Sequence, residues 1–127
     1  MTIYGIGTDI VSTERIKKLL KNKKFITRVF NQKEISKCKR IKNSNNCYAK
    51  RFAAKEAFSK ALGTGISSGI NLNEIIILNN LKGKPYLNLE GNTKKLILRK
   101  FKNKKIKTSL SLSDEIKYAV AFVTISL

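Results

Sequence analysis

A single long helical stretch, residues 47–62, limits what this chain can fold into more than any other part of its sequence. Small and apolar residues recur there at helical spacing, including Ala54, Ala57 and Phe58. Gly63 follows at the position where glycine commonly ends a helix. The fold class therefore depends on which elements come before and after this helix.

Helical patterns dominate before this helix, and strand patterns dominate after it. A strand is predicted over Ile3–Val11, followed by short helices near 13–21, 25–30 and 33–39. The second half is predicted to contain two strand pairs and one helix: strands Ile75–Leu78 and Tyr86–Leu89 joined by a turn at Lys82–Pro85, a helix at Thr93–Lys100, and strands Lys107–Ser113 and Lys117–Ser126. This order predicts an α+β fold in which helices pack on an antiparallel sheet.

The length of 127 residues leaves room for one domain, residues 1–127, and 42% hydrophobic residues suffice for a core. A domain this small buries a limited share of its surface, so oligomerisation would stabilise it. No signal peptide is visible at residues 1–11, and no apolar run approaches the length of a membrane span. We therefore expect a cytoplasmic protein without membrane insertion.

The net charge of +19, from 27 Lys and Arg against 8 Asp and Glu, favours anionic partners. These partners include nucleic acid, anionic membranes, polyphosphates and acidic proteins. Lysine is also abundant in every part of the chain, so a general compositional drift explains much of the charge equally well. Charge alone does not choose between these interpretations.

The absence of histidine restricts the chemistry more sharply than the charge does. It excludes Ser–His–Asp and Cys–His catalysis and every histidine metal site. A general base must then be a carboxylate, a lysine or a metal-bound water. Cys38 and Cys47 lack CxxC spacing, and we expect reduced thiols in a cytosol rather than a disulfide.

Asp9 is one of the few acidic residues, and it shares one face of the first predicted strand with Gly5 and Gly7. Two glycines beside a carboxylate can leave an open space that a ligand enters. Alternatively, another element packs closely on the glycines and Asp9 caps the next helix. The strand pattern leaves both interpretations open.

Glu56 is the acidic residue of the long helix, and small apolar residues flank it. Its spacing to Lys60 predicts a surface ion pair, although a carboxylate on such a face is equally a candidate ligand. Two glycine-containing segments, Gly63-Thr64-Gly65 and Gly83-Lys84-Pro85, permit either tight turns or a closely approaching ligand. Each of these features is weak evidence when taken alone.

Taken together, these segments resemble one family, the short single-domain phosphopantetheinyl transferases called holo-acyl-carrier-protein synthases. The resemblance covers nearly the whole chain and rests on four segments: Gly5-Ile6-Gly7-Thr8-Asp9-Ile10-Val11 with Arg15; Arg51-Phe52-Ala53-Ala54-Lys55-Glu56-Ala57-Phe58-Ser59-Lys60-Ala61 with Gly63-Thr64-Gly65; Gly83-Lys84-Pro85; and Tyr118-Ala119. It implies the 4′-phosphopantetheinyl transferase fold of the short, trimeric type. It also implies transfer of phosphopantetheine from coenzyme A to a serine of acyl carrier protein, in fatty acid biosynthesis.

By this resemblance, Asp9 and Glu56 bind Mg²⁺ and form the catalytic centre. Mg²⁺ prefers oxygen ligands and is typically held by one or two carboxylates plus substrate phosphates. The metal would polarise the phosphorus and stabilise the departing 3′,5′-ADP. The proton of the attacking serine would go to Glu56 or to a metal-bound water, and the sequence does not choose between them.

The resemblance also assigns binding residues and an assembly state. It implies contacts to coenzyme A from seven residues: Arg51, Ser59, Lys60, Gly63, Gly83, Lys84 and Pro85. It implies docking of an acidic carrier protein by four basic residues, Arg15, Lys18, Lys24 and Arg28, with Leu19 and Phe25 as apolar contacts. The family is a homotrimer with active sites at subunit interfaces, so the same is expected here.

Two positions depart from patterns seen elsewhere in the family. Val11 stands where larger two-lobed relatives carry a third carboxylate, which fits the short type and implies water as that ligand. Asp114 stands where some members carry histidine, so a histidine contact to the ligand is absent. The role of Asp114 is left open.

Three alternatives compete with this prediction. A nucleic-acid-binding module would explain the charge, but aromatic residues make up only 8% and no stacking cluster or binding motif is present. A transferase for carriers of polyketide or peptide synthesis would share all the motifs. An inactive structural trimer would not be expected to retain both carboxylates.

Overall fold

The computed structural model describes residues 1–63 and 69–127. The elements follow the predicted order: β1 (Ile3–Ser12), α1 (Thr13–Leu19), α2 (Lys23–Val29), α3 (Gln32–Arg40), α4 (Ser44–Leu62), a 3-10 turn (Leu72–Glu74), β2 (Ile75–Asn79), β3 (Pro85–Leu89), α5 (Gly91–Lys100), β4 (Lys107–Asp114) and β5 (Tyr118–Ser126). The α+β prediction is confirmed, with the described strands forming two antiparallel sheets rather than one. The larger sheet has the order β1-β5-β4, and the smaller pairs β2 with β3.

Helix α4 begins earlier than its sequence pattern predicts. The pattern predicted a helical stretch from residue 47, but Ser44 is already helical. The buried amide of Asn46 donates to the Asp114 carboxylate at 2.7 Å and to the Glu115 carbonyl at 2.8 Å. These bonds attach the first turn of α4 to the end of β4, a long-range contact that local pattern cannot reveal.

The glycines of β1 allow α4 to lie directly against the larger sheet. A Cβ at Gly5 would overlap the carbonyl oxygen of Ala61, and one at Gly7 would overlap that of Ala57. The open space considered beside Asp9 is therefore filled by the helix backbone. Asp9 also does not cap the next helix, because the Ser12 hydroxyl accepts from the Arg15 amide there.

Cys38 and Cys47 form a disulfide, so the expectation of two reduced thiols was wrong. Helices α3 and α4 bring the two Cα atoms to 5.5 Å, within the range that a disulfide spans. The spacing of the two cysteines along the sequence excludes a CxxC motif, but it does not indicate how close they lie in the fold. The bond links α3 to the first turn of α4 beneath the surface, since both residues are buried.

A fully buried ion pair joins Lys55 of α4 to Glu34 of α3 at 2.8 Å. The ammonium also donates to the carbonyls of Leu72 at 2.8 Å and Ile75 at 2.5 Å. Glu34 in turn accepts from two backbone amides, those of Asn31 at 2.9 Å and Ile77 at 3.0 Å. Burial lowers the pKa of Lys55 to about 8, although the negative charge of Glu34 acts to raise it. The amine therefore stays protonated at neutral pH.

No helix within residues 1–63 and 69–127 is both long enough and apolar enough to cross a membrane.

Replacing Lys55 with Met should destabilise the protein severely, because it leaves the Glu34 carboxylate buried without a counter-charge. We expect a loss of about 3–5 kcal/mol in the free energy of unfolding, measured by urea denaturation at pH 7. Lys60→Met on the same helix is the matched control. The Lys60 side chain is 56% exposed, so the control should lose less than about 1 kcal/mol. Equal losses in the two variants would contradict a special role for the buried pair.

Candidate active site

Asp9 of β1 and Glu56 of α4 lie on neighbouring elements at one edge of the larger sheet. The close approach of α4 to Gly5 and Gly7 places the helix alongside this strand. Lys60 bridges the two elements, because its ammonium lies 3.1 Å from both the Asp9 carboxylate and the Thr8 carbonyl. Lys60 thus pairs with Asp9. Helical spacing alone had predicted a different partner, Glu56, which lies four residues earlier.

Glu56 is half-buried, and its surroundings disfavour its charged form. Burial is the largest cause that raises the pKa of its carboxyl group, and the negative charge of Asp9 is the second. Lys60 and Arg15 oppose the rise. The two carboxylates therefore interact with each other, and Arg15 of α1 is close enough to influence the same site.

This pair of carboxylates fits a Mg²⁺ ion. Within residues 1–63 and 69–127 no cluster of three or more acidic, cysteine or histidine side chains is present. Two carboxylates are nevertheless enough for Mg²⁺, which commonly keeps several waters and takes its remaining ligands from substrate phosphates. Burial and, secondly, the negative charge of Asp9 raise the pKa of Glu56, and a divalent cation bound beside it would oppose that rise.

A second group of predicted ligand contacts lies on another side of α4 and at the turn between β2 and β3. Arg51 precedes Lys60 by nine residues, about two and a half helical turns, so the two side chains leave opposite sides of the helix. Gly83, Lys84 and Pro85 line a cavity of about 380 Å³ together with Asn79, at the end of the smaller sheet. The structure therefore separates the predicted coenzyme A contacts into two groups within one chain.

Two further predicted contacts, Ser59 and Gly63, have local structural roles that need no ligand. Ser59 is buried, and its hydroxyl donates to the Lys55 carbonyl at 3.0 Å. Gly63 ends α4 in the left-handed conformation, at φ 81°, which explains the glycine without any ligand. Thr64 and Gly65, the rest of that predicted segment, lie outside the described residues.

The four basic residues predicted to dock a carrier lie on two consecutive short helices. Arg15 and Lys18 belong to α1, and Lys24 and Arg28 to α2, and all four are exposed. Phe25, one of the predicted apolar contacts, is partly buried and helps to line an apolar groove of about 350 Å³ with Arg28. Because Arg15 also influences Glu56, this basic surface adjoins the carboxylate pair.

Sequence reasoning missed Asn79, which links the cations of α3 and α4 to the Gly83 turn. Its side-chain oxygen accepts from Arg51 at 2.8 Å and from Lys37 at 2.7 Å, and its amide donates to the Gly83 carbonyl. An asparagine that ends a strand is ordinarily a turn residue, so nothing local marked it. Asp114, whose role was left open, bonds Asn46 and pairs with Lys50 at 3.4 Å.

Comparison with known proteins gives a consistent result. Residues 5–123 match the family model of the 4′-phosphopantetheinyl transferase superfamily. The holo-[acyl-carrier-protein] synthase of Pelagibacter ubique is 49% identical, over 97% of this chain and 96% of its own length. That of Ehrlichia chaffeensis is 45% identical, over 97% and 96% respectively.

Solved structures agree with these relatives. The holo-[acyl-carrier-protein] synthase of Neisseria meningitidis superposes with a TM-score of 0.85 at 39% identity, covering 99% of this chain and 100% of that one. The Helicobacter pylori enzyme, solved in complex with coenzyme A, gives 0.80 at 35% identity, over 95% and 99%. This chain therefore belongs to the 4′-phosphopantetheinyl transferase superfamily, among its holo-[acyl-carrier-protein] synthases.

Proposed function

We propose that this chain transfers 4′-phosphopantetheine from coenzyme A to a serine of apo acyl carrier protein, in the cytoplasm and for fatty acid biosynthesis. The products are holo acyl carrier protein and adenosine 3′,5′-bisphosphate. The meeting of Asp9 and Glu56 beside Lys60 is the observation that carries the proposal. The relatives' names and the coenzyme A complex of the Helicobacter pylori enzyme support it. The proposal includes a single phosphopantetheinyl transferase domain that spans residues 1–127.

Asp9 and Glu56 would hold Mg²⁺, which when bound supplies charge neutralisation of the pyrophosphate and polarisation of the reacting phosphorus. Lys60 adds a cation beside Asp9, where it can meet a phosphate oxygen. In-line attack by the serine oxygen forms the new phosphate ester and breaks the pyrophosphate bond to adenosine 3′,5′-bisphosphate. The serine proton passes to the Glu56 carboxylate or to a water beside it.

The remaining contacts to coenzyme A are proposed for the separate group formed by Arg51, Gly83, Lys84 and Pro85. Arg51 is 4% exposed and lies near the cavity at the turn. Arginine and lysine suit a substrate that carries several negative charges. Ser59 and Gly63 stay predicted contacts, and the burial of Ser59 implies that it acts by supporting the helix.

Glu56→Gln and Asp9→Asn should each abolish most of the transfer, because each removes one carboxylate from the proposed Mg²⁺ site. The assay is mass spectrometry of apo acyl carrier protein incubated with coenzyme A, Mg²⁺ and the enzyme. The wild type should add about 340 Da to the carrier, and each variant should slow this at least about 100-fold. Chelation of Mg²⁺ with EDTA should slow transfer by the wild type to a similar extent.

Asn88→Gln is a suitable control, because Asn88 is exposed on β3, a strand of the smaller sheet. It should leave the rate of transfer unchanged. Full activity in either carboxylate variant would refute the proposed centre, whereas a wild type that modifies no carrier would refute the function itself.

Docking of an acidic carrier is proposed for the exposed basic surface of α1 and α2. Reversing two charges there, in Lys24→Glu with Arg28→Glu, should raise KM for the carrier about tenfold and leave kcat nearly unchanged. Lys104→Glu with Lys105→Glu changes the net charge equally at a distant exposed site, so its KM should move little. The difference between the two double variants should shrink at 0.5 M salt, because screening weakens long-range attraction. A similar KM in both would contradict a localised docking surface.

A homotrimer with interface active sites is proposed as the working assembly. The outer face of the larger sheet presents apolar side chains to solvent, with Ile6 61%, Ile10 63% and Phe122 44% exposed. An exposed apolar face on a small domain is typical of a subunit interface. The separation of the predicted coenzyme A contacts onto two sides of α4 also favours a site completed by a neighbouring copy.

Phe122→Asp should dissociate the assembly, because it places a charge in the middle of this apolar face. Light scattering after gel filtration should show three times the 14.3 kDa chain mass for the wild type and the single-chain mass for the variant. Asn88→Asp adds the same charge on the smaller sheet and should stay assembled. A monomeric wild type with full activity would contradict the proposal.

A further inference from the structure

One covalent bond in this chain has no part in the transfer chemistry derived above. Cys38, in the last turn of α3, is bonded to Cys47 in the first turn of α4. The cytoplasm, the compartment proposed for this chain, keeps thiols reduced, and the disulfides that form there are mostly transient or redox-sensing. A disulfide at this position is therefore a candidate for reversible opening.

Cys47 is the half of the disulfide that a dissolved thiol can approach. Cys38 is 0% exposed, whereas Cys47 is 3% exposed and lines a cavity of about 250 Å³ between α3, α4 and the end of β2. Lys50 and Arg51 line the same cavity, so positive charge favours the entry of a thiolate. Because thiol–disulfide exchange begins when a thiolate attacks one of the two sulfurs, access to Cys47 is sufficient for the bond to open.

Arg51 lies directly against the sulfur of Cys47. One terminal nitrogen of its guanidinium donates to the Cys47 carbonyl and to the Cys47 sulfur, each at 3.2 Å. A neighbouring guanidinium stabilises negative charge on a cysteine sulfur. Opening the bond would therefore convert a neutral sulfur into an anion that pairs with Arg51. Since Arg51 is also a proposed contact to coenzyme A, that thiolate would compete with the substrate for the same guanidinium.

The disulfide also holds the C-terminal end of α3 against α4. The N-terminal half of α3 is attached separately, through the buried ion pair between Glu34 and Lys55. That pair would still hold α3 after reduction, whereas the last turn of α3 and the segment leading to α4 would gain freedom. Lys37 lies in this last turn and shares the side-chain oxygen of Asn79 with Arg51. Opening the bond thus disturbs Arg51 and its surroundings without unfolding the chain.

We propose that Cys38 and Cys47 are a thiol–disulfide exchange site through which a cellular dithiol lowers the affinity of this chain for coenzyme A. The inference rests on the proposed function and adds regulation to it. A thiolate of the dithiol attacks the Cys47 sulfur, the sulfur–sulfur bond breaks, and Cys38 leaves as a thiolate that takes a proton from water. The second thiolate of the dithiol attacks the mixed disulfide and releases Cys47 as a thiolate beside Arg51. The two cysteines gain two electrons, and the dithiol is oxidised to a disulfide.

The first measurement follows the bond itself in the folded enzyme. The wild type is incubated with dithiothreitol in the absence of denaturant, the reductant is removed at low pH, and free thiols are alkylated with N-ethylmaleimide in denaturant. Mass spectrometry should find both cysteines alkylated after this treatment and neither without it, while the circular dichroism spectrum stays that of a folded protein. A bond that dithiothreitol opens only in denaturant would be purely structural, and this result would overturn the inference.

The second measurement is the KM for coenzyme A of the oxidised and the reduced enzyme in the transfer assay. Reduction should raise this KM about fivefold and change kcat and the KM for the carrier little, because the carboxylate pair lies on another side of α4. Cys38→Ala with Cys47→Ala is the matched control, since its KM should be the same with and without dithiothreitol. Cys38→Ala alone leaves a permanent thiol at Cys47 and should keep the raised KM under both conditions.

Calorimetry gives a third measurement that does not depend on turnover. The oxidised wild type should bind adenosine 3′,5′-bisphosphate about fivefold more tightly than the reduced wild type, and this ligand has no thiol that could open the disulfide. Equal KM values for the two forms, or a reductant effect that persists in the double variant, would overturn the inference while the transfer activity stands. Failure of both forms to modify any carrier would overturn the proposed function, and the calorimetric comparison would then decide the redox inference by itself.

Discussion

The buried ion pair between Lys55 and Glu34 is the interaction on which the other functional positions depend. It attaches α3, the 3-10 turn and β2 to one side of α4 through bonds to Leu72, Ile75 and Ile77. Arg51 precedes Lys55 by four residues, so both side chains leave the same side of the helix. Once Lys55 has fixed β2, Asn79 at the end of that strand lies within reach of Arg51. A structural salt bridge thereby positions the neighbouring cation cavity.

The other sides of α4 are arranged by different forces. Backbone packing against Gly5 and Gly7 holds the helix to β1 and leaves no room for side chains between them. Asp9 extends from this strand toward Lys60, and Glu56 lies near enough for the two carboxylates to repel. The stability supplied by glycine packing and the buried core permits this electrostatic strain at the site. A mobile or poorly packed α4 would instead let the two carboxylates separate, and the proposed metal site would be lost.

Much of the fold could be predicted from the sequence because periodicity is local, whereas the pair of candidate metal ligands was predicted through the resemblance to a known family. Periodicity gave the element order, and the motif around Glu56 is long and specific. The disulfide and the roles of Glu34 and Asn79 could not be predicted in this way, and the packing on Gly7 was predicted only as one of two alternatives. Each depends on which elements lie side by side, and a single residue of common type gives no sign of such a partner. Lys55 illustrates the difficulty, since its sequence neighbours do not distinguish it from a solvated lysine.

The geometry also separates cations with a definable role from those that composition alone explains. Lys55 neutralises a buried carboxylate, Lys60 is bound to Asp9, and Lys37 and Arg51 donate to the same oxygen of Asn79. The exposed cations of α1 and α2 act through the long-range field, which salt screens. A net charge of +19 is thus a poor guide to partners, because a solvated lysine and a converging lysine contribute equally to it. Convergence of cations in a cavity, rather than the number of lysines, distinguishes a positioned lysine from a solvated one.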